Sequence, residues 1–207
     1  MNYFITGTDT GVGKTYVSVL LIRALRKAGF DTVGLKPICC GDRADAESLR
    51  AAADSELLLD DVNPVWFRVP AAPYTASMIE ERLPDLDQIR DRFARIRLHR
   101  RSLIVEGVGG WLVPILRDYS VADLAAEMKL PVVVVAANRL GALNHTLLTV
   151  RAIQERGLTC AGVILNNILP ASDPATSTNR AILEHLLEVP LLHEIENGQA
   201  ALSFAVA

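Results

Sequence analysis

Hydrophobic and polar positions fall in blocks along this chain, and the blocks switch between two periods. Short apolar runs cover residues 2–6, 32–36, 102–105, 131–137 and 159–165, and Val132–Val135 is unbroken valine. Runs of this length and branching predict strands, those at 131–137 and 159–165 buried on both faces. Between them the pattern changes to a helical period, over 14–28, 45–53, 74–81, 85–99, 120–128, 143–156 and 177–188. Punctuation supports these bounds. Asp45, Asp85 and Ser120 stand where N-caps belong, and Gly29 and Gly157 where helices stop. The segment 63–73, with three prolines, reads as irregular, Trp111–Pro114 as loop, and a proline-bearing loop follows Asn167. Leu191-Leu192 reads as a last short strand, and no element is assigned to the final residues.

Strands alternating with helices predict right-handed crossovers and an α/β fold, a parallel sheet with helices on both faces. The expected organisation is one domain over 1–207. Five polar or glycine-rich stretches follow directly on strands: 7–15, 36–41, 106–110, 138–144 and 166–167. In a parallel sheet they gather along one edge, where such folds bind ligands.

Composition narrows the function. Half of the 207 residues are hydrophobic, enough for a sizeable core, and a net charge of −3 argues against a nucleic-acid binder. No run approaches a membrane span, and no signal peptide is visible, so a cytoplasmic location is expected. Cys39, Cys40 and Cys160 lack metal-ligand spacing and read as reduced thiols.

The strongest chemistry lies in Gly7-Thr8-Asp9-Thr10-Gly11-Val12-Gly13-Lys14-Thr15, between the first strand and the first helix. Strand, glycine-bearing turn, Gly-Lys-Thr and helix describe a P-loop. Its backbone N–H groups suit a phosphate, Lys14 adds charge, and the Thr15 hydroxyl suits Mg²⁺. The helix start favours the same anion. Against this stands a tight turn with a solvated lysine. Lys36 ends the second strand, as a ligand-facing cation or a solvated one. Asp45 reads as a helix cap or a metal neighbour, and Glu106 before Gly107-Val108-Gly109-Gly110 as a Mg²⁺ neighbour or a surface glutamate. The arginines of 85–99 read as a solvated face.

Four motifs together give the chain a resemblance to the dethiobiotin synthetase family, a P-loop NTPase family, over nearly its whole length. They are Thr6–Thr15, Gly34-Leu35-Lys36-Pro37, Val105–Trp111 and Leu140–Thr149. The resemblance implies an ATP-dependent cyclo-ligase that joins 7,8-diaminopelargonic acid and CO₂ into dethiobiotin, with ATP as co-substrate and Mg²⁺ as cofactor. It implies a homodimer with the substrate site at the subunit interface.

By resemblance, Lys36 and Lys14 are catalytic, and Thr15, Asp45 and Glu106 surround the metal. Nucleotide contacts fall on Gly11, Val12, Gly13, Lys14, Thr15, Tyr16, Asp45, Glu106, Gly107, Val108 and Gly109, with Asn166, Asn167, Glu196, Asn197 and Gly198 toward the adenine. Substrate contacts fall on Thr10, Lys36, Cys40 and Gly109, with Leu143 and Asn144 from the other subunit. His145 is expected to be packed or capping. The chain departs from the family pattern in three places. Cys40 replaces a usual serine, the loop from Gly41 to Asp45 is short, and Glu196 replaces a usual proline. Cys40 is either an inert neighbour or a thiolate activated by Lys36 and Lys14.

Two other classes compete. One is a partitioning or positioning ATPase acting through protein partners. Those carry a lysine early in the P-loop, where this chain has Thr8-Asp9. The other is a degenerate nucleotide-binding module.

Overall fold

A computed structural model describes residues 1–54, 56–100, 102–168 and 173–202. Six strands form one parallel sheet: β1 (Asn2–Gly7), β2 (Thr32–Leu35), β5 (Ser102–Gly110), β8 (Val132–Ala137), β9 (Cys160–Asn166) and β10 (Leu191–Ile195). Their order is β10-β9-β8-β1-β5-β2. Two strands of the sheet interior explain the layout. Every residue of β8 is buried, and β1 is buried from Phe4 to Gly7. Strands apolar on both sides must lie inside a sheet covered on both faces. The chain leaves β1 toward β2 at one edge and later returns to lay β8 on the other side of β1. The strand order therefore reverses beside the carboxyl end of β1, which is where open α/β sheets form a binding crevice.

Helices α1 (Lys14–Lys27) and α2 (Ala44–Ala52) cover one face. A Cβ on Gly34 would stand 2.8 Å from Leu49 Cβ and 2.9 Å from Ile22 Cδ1, so the packing there admits only glycine. Helix α6 (Val121–Met128) covers the other face, where Gly107 lies against Val121 and Phe4. Successive strand residues point to opposite faces. Glu106 therefore points under α1 and α2.

The predicted caps hold at Asp85, whose carboxylate accepts from Gln88 N at 2.9 Å to start α5 (Leu86–His99), and at Ser120, which forms a capping box with Asp123. The Asp45 cap does not. Asp45 lies inside the first turn of α2, after the N-cap position of Arg43, and its carboxylate turns to the site.

Other bounds also move. β5 continues to Gly110 instead of ending at 105, which turns the expected glycine turn into strand. The segment read as irregular contains β4 (Val65–Phe67), which pairs in parallel with β3 (Ile38–Cys40) after the short helix α3 (Leu59–Val62). Helix α4 (Pro73–Ile79) follows, with its proline at the first position, where no N–H is needed. Pro114 opens a small antiparallel pair, β6 (Pro114–Leu116) and β7 (Tyr119–Ser120). Helix α7 spans Ala142–Glu155. Helix α8 spans Pro174–Leu186, starting three residues early because Asp173 caps it. β10 runs on to Ile195 because its backbone pairs with β9 as far as Asn166. Part of the loop expected after Asn167, and the last five residues, lie outside the described residues.

Candidate active site

The carboxyl ends of β1, β2 and β5 open into a cavity of about 690 Å³. The P-loop forms its floor. Gly13 has φ +86, and a Cβ there would stand 2.2 Å from Asn166 Nδ2, so the turn requires glycine twice over. Asn166 is buried, and its Nδ2 donates to Val12 O at 3.0 Å, tying the P-loop to the end of β9.

Thr15, in the first turn of α1, meets two carboxylates. Its Oγ1 lies 2.7 Å from Asp45 Oδ1 and 2.8 Å from Glu106 Oε1, and its single hydrogen serves one of them at a time. Lys36 completes the cluster. Its Nζ donates to Glu106 Oε1 at 2.6 Å, to Asp45 Oδ2 at 2.9 Å and to Gly107 O at 3.2 Å. Lys36 is 3% exposed and Glu106 0%. The readings of Lys36 as a solvated strand end and of Glu106 as a surface residue are therefore overturned. Burial opposes the Lys36 charge, but the Glu106 and Asp45 carboxylates outweigh it and raise its pKa. Burial likewise works against the Asp45 charge, and Lys36 overcomes it, so that Asp45 stays below the usual carboxylate range.

Lys14 differs. It is 7% exposed and donates to Asp9 O at 3.0 Å, within its own loop. Burial and the neighbouring Lys36 charge lower its pKa to about 8. A phosphate arriving there would supply the anion it lacks. The site also contains an unmatched acceptor, since Glu106 Oε2 is buried without a hydrogen-bond partner. With Thr15 Oγ1 and Asp45 it offers hard oxygen donors of the kind Mg²⁺ takes.

The cavity walls bring together many of the expected residues. Thr10, Gly11, Gly13, Lys14, Thr15, Lys36, Cys40, Asp45, Glu106, Val108 and Gly109 line it. Val12 and Gly107 stand behind the wall, contributing backbone carbonyls to Asn166 and Lys36. Cys40 is half-buried, and burial, with the neighbouring Cys39 and Glu80, pushes its thiol up to about 12. The activated-thiolate reading is therefore corrected, because loss of hydration outweighs the attraction of Lys36.

A second group lies beyond the P-loop. Asn167 Nδ2 donates to Glu194 at 3.1 Å and Glu196 at 3.4 Å, Asn197 Nδ2 donates to Ile168 O at 2.7 Å, and the Tyr16 hydroxyl bonds Gln199 O. These contacts hold the 196–199 turn, which includes Gly198, against the start of α1. None of these residues lines the cavity, nor do Leu143 and Asn144, which sit in the first turn of α7. His145 is exposed, and α7 has no side-chain cap, so the packed or capping reading is overturned within this chain.

Pro70, Ala71 and Ala72 form a wall that the sequence reading missed. Their stretch carries no charged or glycine signal, and only the pairing of β3 with β4 swings it over the cavity.

Comparison with known proteins gives a consistent result. Residues 1–201 match the family model described as AAA domain. An ATP-dependent dethiobiotin synthetase of Akkermansia muciniphila is 46% identical over 198 residues, covering 96% of this chain and 93% of that protein. Synthetases of the same name from Aromatoleum aromaticum and Bacillus subtilis subsp. natto are 42% and 36% identical, each over 92% of this chain and over 88% and 84% of their own lengths. Among solved structures, the septum site-determining protein MinD of Pyrococcus horikoshii, complexed with Mg-ADP, superposes with a TM-score of 0.60 at 16% identity. It covers 95% of this chain and 82% of its own. A ParA family ATPase of Chlorobium tepidum superposes at 0.55 and 10% identity, covering 95% and 83%. At such identities these two report the fold alone.

Proposed function

The chain belongs to the ATP-dependent dethiobiotin synthetase family, and from that premise we propose how its residues divide the work. The enzyme is an ATP-dependent cyclo-ligase of biotin biosynthesis. It carboxylates 7,8-diaminopelargonic acid with CO₂ and closes the ring to dethiobiotin, releasing ADP and phosphate. The partitioning-ATPase alternative is not favoured, since MinD and ParA share only the fold, whereas the synthetases share sequence along the chain.

The observation that carries the assignment of residues is the cluster of Lys36, Asp45, Glu106 and Thr15 beside the P-loop. In the chemistry this implies, one amine of the substrate adds to CO₂ and loses a proton, forming a carbamate. A carbamate oxygen attacks the γ-phosphorus, and ADP leaves. The second amine attacks the carbonyl carbon, loses its proton, expels phosphate and closes the cyclic urea. The protein's part is positioning and charge stabilisation.

Lys14 and the N–H groups of residues 11–16 hold the β- and γ-phosphates. Lys36, held upright by two carboxylates, offers its remaining charge to the carbamate and the transferring phosphoryl group. Thr15, Asp45 and Glu106, whose orphan Oε2 suits it, would hold Mg²⁺, which would neutralise charge at the phosphates. Thr10, Cys40 and Gly109 border the diamine. Asn166, which braces the P-loop through Val12 O, also meets the adenine edge, and Asn167 with the 196–198 turn borders the adenine.

Leu143 and Asn144 serve the site of a second copy, where the start of α7 suits a carboxylate. Leu148 and Leu112 are 58% and 66% exposed and line a groove that runs over Trp111 to Pro114, which favours a homodimer. A cytoplasmic setting fits, and no helix of the described residues is long and apolar enough to cross a membrane.

The test is phosphate release from MgATP with bicarbonate, with and without diaminopelargonic acid, alongside mass detection of dethiobiotin. Diamine-dependent release matched by product is expected. ATP turnover indifferent to the diamine would refute the assignment.

A further inference from the structure

Lys36 and Asp45 meet at 2.9 Å, yet they stand on segments that the main sheet does not join. Lys36 follows the last residue of β2, where the chain leaves the sheet. Asp45 is on the first turn of α2, after a loop. Helix α2 packs on β2 through Leu49 and Gly34, and a residue outside the cavity ties the two polar ends together. Asn63 is 1% exposed, and its side chain is fully used. Nδ2 donates to Lys36 O at 2.9 Å and to Val65 O at 2.8 Å, while Oδ1 accepts from Arg43 Nε at 2.9 Å. Arg43 also donates to Asn63 O at 2.8 Å, so its planar fork grips one residue at two points.

Both ends of this clamp reach the site. At one end, Lys36 N donates to Val62 O at 2.8 Å, so both backbone polar groups of Lys36 are tied to residues 62 and 63. At the other, Arg43 is the N-cap residue of α2 and sits two positions before Asp45. Its guanidinium lies 5.8 Å from the Trp66 ring centre, and Trp66 Nε1 donates to Gly41 O at 2.8 Å, pinning the turn that leads into α2. The short loop between Gly41 and Asp45 leaves little slack, so the helix start follows Arg43.

We propose that Asn63 and Arg43 are positioning residues that set the distance between Lys36 and Asp45, and so tune the step at the transferring phosphoryl group while leaving the hold of the P-loop on metal-free nucleotide unchanged. This rests on the reading of Lys36 and Asp45 given above. The P-loop backbone has its own brace, Asn166 at the end of β9, so its hold on phosphates does not depend on the clamp, whereas Thr15 Oγ1, 2.7 Å from Asp45 Oδ1, couples the clamp to the metal donors.

Asn63→Asp keeps the shape but replaces both donated hydrogens with a carboxylate oxygen facing two carbonyls. Arg43→Ala removes the fork, and at 18% exposure the vacated space can be reached by added ethylguanidinium. A misplacement on the order of 1 Å costs about 10²-fold in rate. The expected result on folded protein is a kcat loss of about 10–100-fold, affinity for metal-free ADP by calorimetry close to that of the parent, and partial recovery of Arg43→Ala by ethylguanidinium. Amide hydrogen exchange should rise in residues 36–46 and 62–67 and stay unchanged in the P-loop. Unchanged kcat, an equal loss of affinity for metal-free ADP, or exchange rising throughout the chain would overturn the proposal. If the parent enzyme made no dethiobiotin, the functional reading would fall, and the local exchange pattern alone would decide the clamp.

Discussion

Replacing Lys36 by methionine keeps most of the side-chain volume and deletes the charge. Two losses follow, and the structure separates them. The first is stability. At an effective dielectric of about 20, an ion pair at the 2.6 Å separation of Lys36 and Glu106 is worth about 6 kcal/mol before desolvation. Removing only the cation leaves Glu106, 0% exposed and already with one unpartnered oxygen, as an uncompensated buried charge. Breaking such a pair from one side costs about 3–5 kcal/mol. For a chain of this length that is a fall of roughly 6–20 °C in Tm. Asp45 adds little, since its side chain is 48% exposed and solvent screens it.

The second loss is catalytic. One preorganised charge donor is removed from the reacting centre, at a cost of about 10²–10³ in kcat. The double variant Lys36→Met/Glu106→Gln distinguishes the two. With no buried charge left unpaired it should regain most of the lost Tm, while dethiobiotin formation stays down. Calorimetric melting and a coupled product assay measure both quantities. Turnover of the single variant near that of the parent would refute the role of Lys36. A single variant with unchanged Tm would refute the buried ion pair.

Two further predictions concern the walls of the site. With its thiol pushed up to about 12, Cys40 should alkylate with iodoacetamide at a rate that climbs with pH without a plateau below pH 10 (a bound taken from that value). A plateau near neutral pH, followed by peptide mass analysis, would show an activated thiolate after all. If Asn144 completes the neighbouring copy's site, mixing inactive Lys14→Ala with inactive Asn144→Ala chains should restore part of the activity, because one hybrid site keeps both groups. No recovery despite demonstrated subunit exchange would count against a shared site.

What the amino-acid sequence determined by itself was whatever depends on neighbours along the chain. The P-loop is local, since its glycine, lysine and threonine act through one turn and the helix that follows. The caps at Asp85 and Ser120 are local too, as is the valine run of β8, which can sit only inside a covered sheet. Alternation of such runs with helices sufficed for the parallel α/β architecture.

Tertiary structure decided the rest. Asp45 had the sequence position of a cap, but Lys36 and Thr15 offer its carboxylate stronger partners than a backbone N–H. Glu106 looked like the start of a turn, but pairing of Gly110 with Gly7 of β1 keeps the chain in strand, which places the carboxylate inside the protein. The wall at Pro70–Ala72 and the Asn63–Arg43 clamp have no local signature, because the wall is placed by the pairing of β3 with β4 and the clamp's bonds to Arg43 and Lys36 join residues 20 and 27 positions apart. A pattern read along the chain carries periodicity and turn chemistry. The cost of burying a charge or an amide without a partner is settled only when distant segments meet, and at this site that cost selects the arrangement.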